Sequence, residues 1–369
     1  MSQPEPPAAL DYRMPAEWEP HAATWLSWPR REGISFPNAF DRVVPTLRQM
    51  VETLLTSEPV CINVCNGAHE AEALEALAGL PLDRLTFHRI PTNEPWCRDH
   101  GPIFLTRDKE PRLAIVDWDY NAWGGKYPPC DFDEVVPTRV GEILGVPVFY
   151  PRMILEGGSI DVNGAGALLT SESCLLNANR NPALGRAEIE QRLRDYLGVT
   201  EILWLGDGIE GDDTDGHVDD LARFVRERTV VTVVEENRDD PNHKPLQENL
   251  ARLRGLKVSG MPLEVVTLPM PARIVREDQR LPASYANFYI ANQSVLLPTF
   301  ADPNDAVAET TLQKVFPTRK IVPIDCTELI WGLGAFHCLT QQQPAIGRIA
   351  GAGMTGPRRQ DQSASGAGL

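Results

Sequence analysis

Positive charge is scarce in this chain. Its 369 residues carry 35 Lys and Arg against 51 Asp and Glu, a formal charge of −16 at pH 7. A general nucleic-acid binder gains affinity by neutralising phosphates with Lys and Arg, so that class is excluded. Docking on an anionic membrane is disfavoured for the same reason. A field of this sign suits a small cationic ligand, or serves solubility alone. No run approaches the roughly 18 apolar residues of a membrane span. The opening MSQPEPPAA has neither the basic nor the apolar region of a secretory signal. The seven cysteines are an odd, scattered set without a C-x-x-C pair. A disulfide framework and a structural zinc are therefore not expected, and reduced thiols point to the cytoplasm.

A working phosphate loop is also missing. Gly351, Gly353 and Gly356 match G-x-G-x-x-G, but Pro357 and a low-complexity end follow where a helix is needed. Segments 1–9 and 349–369 read as loose ends around one domain, 10–348.

What is present, at 42% hydrophobic and 23% charged, is ordinary globular composition. It follows a degenerate repeat: amphipathic helix, apolar strand, a loop rich in Gly and acids, then another strand. Helices are expected near 38–56, 132–144, 183–197, 246–253 and 305–316 from apolar spacing of three to four. Gly198 and Gly255 sit where C-caps belong. Asn163-Gly164 signals a hairpin. Such α/β alternation suits a doubly wound parallel sheet. Paired strands flanking the loops favour instead a closed ring of about five ββαβ units, whose loops converge near the axis.

Four loops carry reactive groups: Trp96–His100, Glu156–Gly158, Asp212–Asp219 and Gly334–Cys338. In the third, Asp213, Asp215, His217 and Asp219 alternate, and a strand-like backbone would place them on one face. A metal site fits poorly, because the twelfth position of an EF-hand starting at Asp212 or Asp213 falls on Arg223 or Phe224. A solvated acidic turn and a cation-binding, proton-transfer face both stay open. Cys338, expected at the start of the last strand, is the favoured nucleophile, with Cys97 its rival. Strand alternation makes His337 a poor partner for the Cys338 sulfur, so His217 from another loop is the candidate proton carrier. Trp96, Tyr120 and Trp123 offer faces suited to a planar cation.

At these residues the chain resembles the agmatine deiminase family of the guanidine-modifying, peptidyl-arginine deiminase-like superfamily. The matching segments are MPAEWEPHAATWLSWP, WCRDHGP, DYNAWGGKYPP, LEGGSIDVNGAG, LLNANRNP, GDDTDGHVDD, PASYANFYIAN and HCLTQQQP, spread over roughly 10–345. The resemblance implies an α/β fold, a five-bladed ββαβ propeller of the pentein type. It implies hydrolysis of agmatine to N-carbamoylputrescine and ammonia through a Cys thiouronium intermediate, in polyamine biosynthesis. Cys338 becomes the nucleophile, His217 the general acid and base, and Asp99, Glu156 and Asp219 the guanidinium-binding carboxylates. Asp213 is the candidate for the distal amine, and Trp96 and Trp123 wall the substrate. No metal or organic cofactor is required, and a homo-oligomer, a dimer, is implied. The alternatives are a deiminase or amidinotransferase for another guanidino compound, such as arginine, methylarginine or peptidyl-arginine, and a non-catalytic binding propeller. Two departures stand out: Leu333-Gly334-Ala335-Phe336 replaces the Gly-rich, Asn-bearing run before His-Cys, and His100 replaces Thr after Arg-Asp.

Overall fold

The computed structural model describes residues 5–347, so the glycine triplet at 351–356 and the loose end at 349–369 lie outside the described residues. The chain is mixed α/β, and its strands form five sheets of three or four strands plus two short hairpins. The same local sequence logic recurs in each sheet. Ile103–Thr106 pairs antiparallel with Leu113–Val116, which pairs in parallel with Val148–Phe149. A parallel partner requires a crossover, and the helix Val136–Leu144 supplies it. The pattern repeats at Ile160–Val162, Ala167–Ser171 and Glu201–Leu205 across the helix Arg186–Leu197. It repeats again at Ala222–Arg226, Thr229–Val234 and Glu264–Pro269 across His243–Gly255. A further case is Tyr289–Ile290, Ser294–Thr299 and Lys320–Asp325 across Asn304–Val315. The remaining sheet joins the two ends of the chain. There Gln341–Pro344 pairs antiparallel with His21–Ser27, followed in parallel by Val60–Asn63 and Leu85–His88.

Helix faces explain the packing. In Phe40–Leu55 the buried residues Val43, Leu47, Met50, Val51 and Leu54 recur at three-to-four spacing and lie in the main core. Gly198 ends its helix in the left-handed region at φ 68°, as its position suggested. Gly255 does not: it is the last helical residue, and Leu256 turns the chain into extended backbone. The helix expected from 132 begins only at Val136, because Asp133 is held outside it, accepting from Asn93 N at 2.7 Å. The apolar run Ala167–Asn177 is a strand only to Ser171. There Ser171 Oγ accepts from Cys174 N at 3.3 Å and caps the turn Glu172–Leu175. At the N-terminal end, expected loose to residue 9, Pro7–Leu10 forms a 3-10 turn packed on Arg186–Leu197.

Short turns precede the hairpins, and these build the centre. They are Cys97–His100, Gly157–Ser159, Val218–Asp220, the loop 284–287 and Phe336–Leu339. Phe336–Leu339 touches Cys97–His100, which touches Gly157–Ser159, which touches Val218–Asp220. Ser284 Oγ then donates to Asp220 O at 2.7 Å, and Asn287 Oδ1 accepts from His337 N at 3.1 Å. Each turn therefore meets the next in series.

Glu17 ties two of these turns, Cys97–His100 and Phe336–Leu339, to the strands bearing Arg223 and Ile290. Its Oε2 receives Arg223 Nη2 at 2.8 Å, His337 Nε2 at 2.8 Å and Arg98 Nη2 at 3.3 Å, while Oε1 accepts from Ile290 N at 2.7 Å. Burial opposes its charge, but Arg223, His337 and Arg98 outweigh burial and hold its pKa well below the usual range. Glu17→Gln strands buried cations and is expected to cost about 3–5 kcal/mol at pH 7 in urea unfolding. Because the folded pKa is depressed, this contribution is present above the unfolded carboxylate pKa. It shrinks as pH falls through the folded value. A variant as stable as the parent at pH 7 would contradict this role.

Candidate active site

The segment before Cys338 decides where its sulfur points. Leu329–Gly332 is a 3-10 turn ended by Leu333 in the left-handed region at φ 70°. The chain then makes one helical turn, Phe336–Leu339, and the last strand starts only at Gln341. Cys338 is thus not the first residue of a strand, and alternation across a sheet is not what separates it from His337. The His337 ring is held instead between two carboxylates, Nδ1 at 2.6 Å from Asp219 Oδ2 and Nε2 at 2.8 Å from Glu17 Oε2. The Cys338 sulfur receives Asn287 Nδ2 at 3.0 Å and faces Asp219 Oδ2 at 3.6 Å. Of the two rival thiols, Cys338 lines the central cavity, whereas Cys97 is fully buried and burial pushes its pKa up to about 12.

Asp212–Asp219 is a series of turns rather than an extended strand. Asp215 at φ 68° and Gly216 at φ 101° break the alternation, so the four side chains do not share a face. Asp213 lines the cavity and accepts from the Tyr127 hydroxyl. Asp215 turns away to Lys126 Nζ at 2.7 Å and Arg180 Nη1 at 2.6 Å. His217 and Asp219 are fully buried in the floor. The structure therefore brings Asp219 to Cys338 and His217 to Asp99, while Asp213 and Asp215 bond elsewhere.

Asp99 completes the floor. Its Oδ1 accepts from Gly158 N at 3.0 Å, and its Oδ2 from Trp123 Nε1 at 2.9 Å. His217 Nδ1 lies 3.6 Å from Asp99 Oδ1, an ion-pair separation too long for a hydrogen bond. Glu156 is half satisfied: Arg180 Nε donates to Oε1 at 2.6 Å, and Oε2 has no partner. Both ring nitrogens of His217 and Oδ1 of Asp219 also lack partners despite full burial. Orphaned buried polar atoms are costly, and the two carboxylate oxygens among them, Glu156 Oε2 and Asp219 Oδ1, are acceptors open to a ligand that brings donors.

Electrostatics give the sign of that ligand. Burial, with the neighbouring Asp219, raises the Asp99 pKa to about 6 despite the opposing pull of His217. Burial disfavours charge on His217, yet Asp99, Cys174 and Glu156 prevail and raise its pKa well above the usual value. The Cys338 thiol is pushed well up by burial and by Asp219, Asp220 and Asp99. A cation entering here relieves the acids and favours the thiolate together.

The cavity above the floor measures about 210 Å³. Trp96, Trp123, Trp331, Leu333 and Ile34 give it apolar walls, Asp99 and Asp213 are its carboxylates, and no Lys or Arg lines it. The Trp96 indole donates to Ser35 Oγ at 2.8 Å, and its ring occupies the space that a Cβ on Gly334 would need. Trp123 belongs to a left-handed run, Ala122 to Gly125, with φ between 53° and 81°. Such backbone is strained for non-glycine residues and persists where its surroundings enforce it. Tyr120, one of the sequence candidates, packs edge-on against Trp123 and does not line the cavity.

Sequence reasoning overlooked Arg180, Asn287, Tyr127, Trp331 and the wall role of Leu333. Arg180 and Asn287 did lie within LLNANRNP and PASYANFYIAN, which marked the segments but not the roles. Among the described residues, Glu156, Cys174 and His217 also bring one possible ligand atom each within 4.8 Å of one another, with Arg180 already on Glu156.

A family model described as the Porphyromonas-type peptidyl-arginine deiminase matches residues 13–344. The agmatine deiminase of Pseudomonas aeruginosa (strain LESB58) is 38% identical over 366 residues, covering 92% of this chain and 97% of that protein. The solved agmatine deiminase of Enterococcus faecalis superposes with a TM-score of 0.87 at 33% identity, over 92% of this chain and 98% of that one. A substrate-bound C. jejuni agmatine deiminase gives 0.83 at 30% identity, over 90% and 96% of the two chains.

Gly158 tests the floor directly. A Cβ there would stand 2.6 Å from His217 Nδ1, 2.8 Å from Asp99 Oδ1 and 3.0 Å from Asp219 Oδ2. Gly158→Ala is expected to lower kcat/KM for a guanidino substrate about 100-fold or more by misplacing these groups. Some loss of thermal stability accompanies it, so turnover is compared at a temperature where the variant is fully folded. Parent-like turnover would show that the space before Gly158 holds no reacting group.

Proposed function

We propose that this chain, which belongs to the Porphyromonas-type peptidyl-arginine deiminase family, hydrolyses agmatine to N-carbamoylputrescine and ammonia. The observation that carries the reading is the set of orphaned acceptors around His217 beneath a thiol-lined, cation-free cavity. A guanidinium is planar, carries only donors, and pairs with carboxylates by bidentate hydrogen bonds. Asp99, Asp219 and the free oxygen of Glu156 receive it.

The guanidinium is also a poor electrophile, so position and charge must do the work. Its arrival offsets the acids that hold Cys338 as a thiol, and the thiol proton leaves to solvent. The Cys338 thiolate adds to the guanidinium carbon. His217, held protonated by its acidic neighbours, gives its proton to the departing nitrogen, and the C–N bond breaks to release ammonia. The remaining S-linked thiouronium is attacked by water as His217 takes a water proton. Collapse breaks the C–S bond and leaves the ureido product. No step calls on a metal or an organic cofactor. The net reaction consumes one water per ammonia.

Asp213, which also lines the cavity, receives the distal ammonium, while Trp96 and Trp123 flank the butyl stem. Free arginine would bring an α-carboxylate toward Asp213, with no Lys or Arg lining the cavity to receive it. Within the same reading, the five sheets are the blades of a five-bladed ββαβ propeller formed by residues 10–348. The serial contacts of the central turns and the shared sheet of the two chain ends support this. The enzyme then works as a cytoplasmic homodimer in polyamine biosynthesis. Among the described residues no helix is long and apolar enough to cross a membrane.

The test is ammonia release from agmatine, butylguanidine, arginine, methylarginine and a peptidyl-arginine substrate. Agmatine is expected to give the highest kcat/KM, and butylguanidine, lacking the ammonium, a raised KM. Cys338→Ser is expected to lose about 10³-fold or more in turnover with the fold intact. Ammonia from none of the five, or full activity of Cys338→Ser, would overturn the reading.

A further inference from the structure

The geometry points to Asn287 as a further catalytic residue, whose side-chain amide donates to the Cys338 sulfur and stabilises the thiolate. This rests on the reading of Cys338 as the nucleophile and extends it to a group outside the five residues assigned above.

The argument begins with hydrogen-bond bookkeeping at a buried amide. Asn287 is 1% exposed, so each of its polar atoms needs a protein partner. Two main-chain donors, His337 N at 3.1 Å and Cys338 N at 3.3 Å, face Oδ1. A main-chain N–H can only donate, so the atom it meets must be the amide oxygen. That settles the orientation of an amide whose oxygen and nitrogen are otherwise easily exchanged. The nitrogen must therefore face the other two partners, Asp220 Oδ1 at 3.0 Å and Cys338 Sγ at 3.0 Å. The NH₂ has two protons and two acceptors, so one N–H is committed to the sulfur.

The other groups around this sulfur oppose a thiolate. Asp219 and Asp220 come from the Val218–Asp220 turn and Asp99 from the Cys97–His100 turn, and all three disfavour negative charge on Cys338. From its own turn, His337 is turned away onto Asp219 and Glu17. From the 284–287 loop comes the Asn287 N–H, the side-chain donor that the sulfur has among the described residues. Hydrogen bonds to an ionised acceptor are roughly twice as strong as neutral ones, so this contact strengthens as the proton leaves. Because Oδ1 also holds the His337 and Cys338 main-chain N–H groups, the same side chain fixes the turn that aims the nucleophile.

Asn287→Asp removes the donor facing the sulfur with almost no change of size but adds a carboxylate, so the neutral Asn287→Ser separates the lost hydrogen bond from the added charge. The direct readout is the pH dependence of Cys338 alkylation by iodoacetamide, which reports thiolate without requiring turnover. The Cys338→Ser variant supplies the background rate. The midpoint is expected to move up by about one pH unit or more, given that a hydrogen bond to the charged form lowers a pKa. With agmatine, kcat is expected to fall about 10-fold or more while KM changes less than about threefold, the signature of an interaction made in the transition state. Asn287→Ser, too short to reach the sulfur, should shift the midpoint in the same direction. In the unaltered protein, the ¹⁵N-labelled Asn287 side-chain amide resonance is expected to titrate at the alkylation midpoint, a readout that survives failure of either variant to fold. A flat resonance, or an unchanged alkylation profile in a folded variant, overturns the role. If the protein proves inactive on agmatine, the alkylation and resonance data still decide Asn287 separately from the substrate.

Discussion

Asp99, Glu156 and Asp219 come from three different turns and meet around His217 and Cys338, leaving four buried polar atoms without partners. Concentrating carboxylates away from water is unfavourable unless cations balance them. The rest of the architecture can be understood as the means of holding this arrangement in place. In the proposed reaction a planar cation enters this arrangement and lets the thiol ionise. Binding and activation of the nucleophile are then one electrostatic event, and a neutral analogue should gain neither.

Behind the floor the charges are matched. Arg180 joins Glu156 to Asp215, and Arg223 joins Glu17 to Asp161 at 3.2 Å. Glu17 gathers Arg98, Arg223 and His337, so the turns bearing Asp99 and Cys338 and the strand bearing Arg223 are clamped by one carboxylate. These internal pairs hold the geometry and leave one oxygen each of Glu156 and Asp219 without a partner. Gly158 leaves room for this floor, because a side chain there would collide with His217, Asp99 and Asp219.

Much of the fold was legible in the sequence. The crossover helices announced themselves by apolar spacing, and the paired strands by their turns, because each element buries one face on its own period. The four reactive loops were legible too, from acids, His and Cys beside glycines. The failures arose where a period was extended past its element. Asp213 and Asp215 were placed with His217 by strand alternation, which the left-handed Asp215 and Gly216 interrupt. Cys338 was put on a strand that starts three residues later. Asn287 and Arg180 escaped notice because an amide or a guanidinium shows its role only when its partners, distant in sequence, surround it. Leu333 stands where a glycine-rich run was expected, keeps the left-handed backbone, and becomes a wall of the cavity.

The most direct test of substrate-driven ionisation is a comparison of two pH profiles on the same enzyme. The profile of kcat/KM for agmatine reports the free enzyme, and that of kcat reports the complex. A guanidinium that draws out the thiolate must shift the acid limb of kcat to lower pH than that of kcat/KM. Coincident acid limbs would contradict the account, because the acids around Cys338 would then set its ionisation whether or not the cation is bound.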